Sequence, residues 1–290
     1  MRRLHMGSFR HQFSSIFNRD LVYVAPWLIG TLILVVVPTL SLFGLAFWED
    51  GALSAGAIGR LIESDLVRLS FFNSLFFVSL AVPVRILGAF FLALLLRPNR
   101  LGPARAAVFL PSVIPPPAWA LIGLWLFNPL NGPINLVLQG LGFSAVNWLV
   151  NANATRIMFV ILSGFQLGEG FVVLLIGRAL IPDHLYDAAR IDGAGLFGRF
   201  WTITLPLMVP WLALLTGRDL LVSLQGTFTP SFVITYGGPY YSTTFLPLLI
   251  YELAFDFRDP ALVALVMLVV FSTLAGVGLW LWRGVAFRDG

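Results

Sequence analysis

Apolar residues in this chain fall in long, nearly uninterrupted runs, separated by short polar stretches. Residues 21–47 carry no charge. A run of that length exceeds the ~20 helical residues that cross the hydrocarbon core of a bilayer. It is also longer than the ~7–15-residue apolar core of a cleavable signal peptide. Comparable runs at 69–96, 106–127, 157–180, 207–234 and 261–282 predict an all-α membrane protein with six spans and polar tails at 1–20 and 283–290. The third run is interrupted by Pro111 and by Pro115-Pro116-Pro117. Loop 128–155 has an apolar middle that predicts a short interfacial helix. In 235–259 the apolar part, 245–255, is too short to cross and reads as a re-entrant or interfacial helix.

Between the fourth and fifth runs lies a polar stretch, 181–206. Pro182 followed by Asp183 predicts a helix start with Asp183 as N-cap. Gly193 and Gly195 then stop that helix and allow a bend. A second helix is expected over 196–204, closed by Leu205-Pro206, with Phe197, Phe200, Trp201 and Thr204 on one face. A helix–bend–helix segment of this kind is either a docking surface for a partner in the water phase or a well-capped connection.

Composition narrows the class. The chain is 58% hydrophobic and 11% charged, against about 25% charged residues in soluble domains. It has no cysteine, hence no disulfide, thiol nucleophile or thiolate metal site. It has no lysine either: all 18 basic residues are arginine. A Walker A loop places a lysine on the phosphates, so ATP and Mg, if they drive this protein, are bound by another subunit. His5, His11 and His184 lie outside the apolar runs with no metal-ligand spacing, so no catalytic or metal set is expected. A membrane enzyme would need such a set, and an ion-coupled secondary transporter would show an internal repeat with paired broken helices. The net charge of +4 comes from arginines flanking the runs and is not a nucleic-acid footprint. Twelve arginines (2, 3, 10, 19, 97, 100, 105, 178, 190, 199, 283 and 288) fall on one side of the predicted topology, and four (60, 68, 156 and 258) on the other. The positive-inside rule then puts both termini and the 181–206 loop in the cytoplasm.

Charges inside spans are costly, which makes them functional or interface candidates. Arg85 stands in the second run, Glu169 in the middle of the fourth, and Arg218 and Asp219 in the fifth. Either they line a polar path, or they form an ion network such as Arg218 with Glu169 that holds the bundle together. Arg85, alone in its run, reads as a structural pairing residue. Gln225, Phe228 and Thr229 interrupt the fifth run together with Gly226 and Pro230. With Gln166, Glu169 and Trp125 they offer the amides, hydroxyls and aromatic faces that bind sugars. A kinked packing helix is the alternative.

Tyr186-Asp187-Ala188-Ala189, Asp192-Gly193-Ala194, Ile203, Leu205-Pro206 and Pro210 resemble the EAA loop of ABC import permeases, with Asp187 where the family usually has Glu. Thr235-Tyr236-Gly237-Gly238-Pro239, Thr243-Thr244 and Leu246-Pro247-Leu248 are similar to the carbohydrate-uptake branch of that family. The resemblance implies a permease subunit in the bacterial inner membrane. It would be half of a translocation pore for a sugar, oligosaccharide or polyol, or else a glycerol-phosphate compound. The implied partners are a second permease, a cytoplasmic ATPase dimer, an external binding protein and membrane lipid, with no nucleic acid. The residues implied to couple to the ATPase are Tyr186, Asp187, Ala188, Ala189, Asp192, Gly193, Ala194, Phe197 and Phe200.

Overall fold

A run of 31 residues, Asp65–Leu95 (here α3), forms one helix on which much of the fold is assembled. Ser64 starts it: its side chain accepts from the Val67 N–H, satisfying one of the donors left open at a helix N-terminus. This cap sets the start four residues before the apolar run that predicted it. Asn73, Ser74, Phe77, Val78, Ala81, Val82, Ile86, Ala89, Phe90 and Ala93 are buried at spacings of three and four, so one stripe faces the core. At the far end the Arg178 guanidinium donates to the carbonyls of Ala93 and Leu94, a cationic cap where the helix dipole favours one.

The computed structural model describes residues 23–49, 52–54, 56–96 and 102–286. Arg2, Arg3, Arg10, Arg19, Arg97, Arg100 and Arg288, and with them most of the predicted tails, lie outside the described residues. The elements are α1 (Tyr23–Leu45), a two-strand ladder of β1 (Trp48–Glu49) and β2 (Ala52–Leu53), α2 (Gly56–Glu63), α3, α4 (Gly102–Phe109), α5 (Pro116–Leu126), α6 (Pro133–Gly140), α7 (Ala152–Gly164), α8 (Gly168–Ala179), α9 (Asp183–Ile191), α10 (Leu196–Thr235), α11 (Leu246–Tyr251) and α12 (Pro260–Ala286). The fold is helical, and the antiparallel ladder pairs only Trp48 with Leu53 and Glu49 with Ala52. Among the described residues three helices, α1, α3 and α10, are long and apolar enough to cross a membrane. The count rises to five if each of two bent pairs is one span; Pro260–Gly276 of α12 is a shorter apolar stretch.

The chain packs as two compact units. One comprises Met1–Leu61 and Asp259–Leu268. Its core is Ala46, Ala57, Ala261, Ala264 and Leu265, flanked by Leu42, Ile58 and Leu61. Asp259 caps α12 by accepting from Leu262 N–H and pairs with Arg60 at 3.2 Å. The other unit, Ile62–Arg258 with Val269–Gly290, holds the main core, in which α3 packs against α7, α8 and α10.

Within that second unit, two spans expected to be continuous are broken. Gly102–Val113, which extends α4 by a 3-10 turn, meets α5 at 105°, at the prolines that predicted an interruption. Residues 157–180 were expected as one span, but α7 and α8 meet at 44° around Phe165–Leu167. Glu169 is consequently in the first turn of α8 rather than mid-helix.

The opposite correction holds at Leu205-Pro206, which does not end a helix. A π-turn, Phe200–Thr204, carries the helix through, and Leu205 N–H bonds back to Phe200 O. The wider turn accommodates a proline that lacks a donor; the π-turn Leu32–Val36 stands in the same relation to Pro38.

The loops are tied by polar side chains. Asn135 is 1% exposed and uses both donors and both acceptor sites: it donates to Pro129 O and Val146 O and accepts from Val146 N–H and Trp148 Nε1–H. Asn73 donates to Tyr241 O at 2.7 Å, and Ser74 accepts from Leu246 N–H, fixing the approach to α11 on α3.

Candidate functional site

The two helix breaks meet at a cavity of about 300 Å³. From the first break come Ser112, Ile114, Pro116 and Trp119; from the second, Gln166, Leu167, Glu169 and Gly170. The Ser112 hydroxyl accepts from Gly168 N–H at 3.0 Å, so one break caps the other. Side chains of α3 (Arg85, Ile86) and α10 (Leu215, Arg218, Asp219, Val222, Gly226, Pro230) complete the walls. The α10 residues recur at three and four, one strip of that helix. The strip is aimed by the crossing of α8 and α10, where Trp211 lies so close over Gly177 that a Cβ there would stand 2.9 Å from the ring.

Four charges line the cavity and pair one to one. Arg85 Nε donates to Asp219 Oδ2 at 3.0 Å, and its Nη2 also reaches Ser223. These side chains are only 11% and 14% exposed. Arg218 pairs with Glu169, and here the side chains are 47% and 55% exposed. Of the residues picked out for a solute path, Gln166 and Glu169 line the cavity. Gln225, Phe228, Thr229 and Trp125 do not; the strip beside Gln225 and Thr229, Gly226 and Pro230, does. Phe228 instead joins Phe232, Tyr236, Tyr251 and Phe255 in a chain of ring contacts. Trp119 supplies an aromatic ring where Trp125 was expected. Among the described residues no group of three His, Cys, Asp or Glu could hold a metal ion.

The polar stretch after α8 is built as follows. Pro182, not Asp183, occupies the N-cap of α9, without a side-chain cap bond, and Asp183 adds its charge in the first turn. The helix ends in a Schellman motif: Gly193, at φ +80°, donates to Arg190 O, and Ala194 donates to Ala189 O. Asp187 pairs with Arg190 at 2.9 Å across one turn of the exposed face. Tyr186 bonds through its hydroxyl to Thr204 at 2.9 Å, tying α9 to α10. The four residues expected on one face divide. Phe200 packs on the main core and against Phe90, and Thr204 is buried, whereas Phe197 and Trp201 are 75% and 52% exposed. Within each pair the residues stand four apart, so Phe197 and Trp201 share one edge of the expected face and Phe200 and Thr204 the other, and the core covers only the second edge. Ile191 and Leu196 are exposed as well, so four large apolar side chains between Arg190 and Thr202 are uncovered.

The family of binding-protein-dependent transport system inner membrane components matches residues 70–279, from α3 into α12. The chain belongs to this family. It is an ABC transporter permease. The sn-glycerol-3-phosphate transport system permease protein UgpA of Yersinia pestis is 30% identical over 240 residues, 80% of this chain and 79% of that protein. The sulfoquinovosyl glycerol transport system permease protein SmoG of Agrobacterium fabrum is 33% identical over 172 residues, 59% of this chain. This permease spans 55% of that relative's length. A bacterial alginate ABC transporter, solved in complex with an alginate pentasaccharide-bound periplasmic protein, superposes with a TM-score of 0.80 at 22% identity, covering 93% of this chain and 95% of that one. That likeness establishes a shared fold.

Ser112 and Trp119 were not picked out from the sequence, which left Asp219 open between a polar path and an ion network and gave Arg85 as a structural pairing residue. A signal for the α10 strip existed: steps of three and four from Arg218 and Asp219 lead to Val222, Gly226 and Pro230.

Proposed function

We propose that this permease forms half of the translocation path of an ATP-driven importer, and that the cavity between the helix breaks and α10 carries a sugar, oligosaccharide or polyol. The observation behind this reading is the cavity itself. Broken helices expose backbone polar groups at membrane depth only where they line a polar space or are buried in protein. Here two breaks, an amide, a hydroxyl and an indole converge on one. The second permease would supply the other half. The exposed side chains of Ile191, Leu196, Phe197 and Trp201, with Asp187, would seat the ATPase, which holds ATP and Mg, since a chain without lysine cannot build a Walker A loop. An external binding protein would deliver the solute. Six apolar runs, with the arginines concentrated on one side of them, support cytoplasmic termini and a cytoplasmic α9.

Two measurements test this reading. Gln166→Ala removes an amide that an uncharged solute would use in place of water. One such hydrogen bond is worth about 0.5–1.5 kcal/mol net, so uptake at limiting solute should fall by up to about tenfold with hydrolysis in the absence of solute unaltered. Unchanged uptake would take the cavity off the path. For topology, the absence of native cysteine makes single cysteines informative. Cysteines replacing the exposed Phe143 and Tyr240 should react with impermeant reagents from outside, and one replacing Ile191 only from inside. The reverse pattern would invert the orientation.

A further inference from the structure

We infer that Glu169 sets the charge selectivity of this cavity, and that the solute admitted is uncharged and rich in hydroxyls. The inference rests on the cavity being the solute path. Its walls carry two guanidinium groups and two carboxylates, each paired with one of the other kind. Arg85 is committed to Asp219 and to Ser223 in a nearly closed contact. Arg218 is the cation within reach of an incoming molecule, since its side chain is half exposed, and Glu169 occupies it. Glu169 stands in the first turn of α8, where the helix dipole favours a negative charge.

An anionic solute would bring a third negative charge into a space whose charges already balance. To reach Arg218 it must displace Glu169, which then stays behind, unpaired, beside the anion. A neutral polyhydroxyl molecule meets no such conflict. It can donate to free lone pairs of the Glu169 and Asp219 carboxylates, accept from unused guanidinium N–H groups, and bond to the Gln166 amide and the Ser112 hydroxyl. The ion pair that excludes the anion thus supplies polar atoms to the sugar.

The test compares matched probes on the full permease with its partner subunits in nanodiscs, without binding protein, so that only the membrane site selects. Methyl glucoside against methyl glucuronide, and glycerol against glycerol 3-phosphate, differ chiefly in charge. Saturation-transfer NMR titrations should show the wild type favouring the neutral member of each pair. Glu169→Gln should shift the ratio of anionic to neutral affinity toward the anion by about tenfold or more in each pair, because a charge-assisted partner is released. Glu169→Asp should behave as the wild type, and Glu169→Gln/Arg218→Gln should lose the gain. A wild type that prefers the anionic probes, or a Glu169→Gln effect equal on both members of a pair, would overturn the selectivity assignment and leave the path intact. Binding of no probe to any variant would overturn the path and the assignment together.

Discussion

Replacing Arg85 with alanine should destabilise the protein by about 3–5 kcal/mol, the usual cost of stranding one partner of a buried ion pair. Asp219 would be left 14% exposed on a membrane-spanning helix. The Ser223 hydroxyl, which bonds to the Asp219 carbonyl, would lose the guanidinium. The double variant Arg85→Ala/Asp219→Ala removes both charges and should regain most of the loss, since an absent pair costs far less than a broken one. Thermal unfolding of detergent-solubilised protein reads both effects. If the single variant melts with the wild type, or the double variant melts below the single one, the pair does not hold α3 to α10.

Gly193→Pro should separate ATP hydrolysis from transport. Gly193 sits at φ +80° and its N–H closes the end of α9. Proline is fixed near φ −65° and has no N–H, so the Schellman motif cannot form and α9 loses its aim toward α10. Coupling energies between linked sites are about 1–3 kcal/mol, or about 5–150-fold. Solute-stimulated hydrolysis in vesicles should accordingly fall about tenfold or more, with the chain still in the membrane, because α9 lies outside the helices that anchor it. Gly193→Ala, which keeps the donor but strains the left-handed backbone by about 1–2 kcal/mol, should fall in between. Stimulation that survives the proline would dissociate this loop from coupling.

How much of this was legible in the sequence depends on what each signal measures. Hydropathy located α3 and α10 because their runs are long, but it passes over breaks that cost no apolar residues. The step from Gly164 to Gly168 is one: only Gln166 interrupts it, so α7 and α8 read as a single span. The prolines near 111–117 exposed the other break, since a missing N–H acts on any helix. The loop around Asp187 was legible to within a residue at Pro182, because caps, glycines and charges are local. The division of Phe197 and Trp201 from Phe200 and Thr204 was not, because spacing puts all four on one broad face and does not report which edge the core covers. Which strip of α10 faces the cavity depends on how that helix is rotated against α8. The contact of Gly177 with Trp211 fixes this rotation, and no spacing within α10 reports it.

The bond between Ser112 and Gly168 bears on how such a permease moves. A Cβ on Gly168 would lie 2.6 Å from the Ser112 hydroxyl and 2.8 Å from the Phe109 Cα, so the two kinked segments touch backbone to backbone. Neither kink can straighten without driving into the other, which makes the pair a single stiff hinge plate. Any change in the width of the cavity would then have to come from α3 or α10, which supply the remaining walls. In mechanical terms the two breaks would act as one jaw of the cavity, and α10, which runs unbroken through the π-turn from its start beside α9, would carry any displacement there to the other.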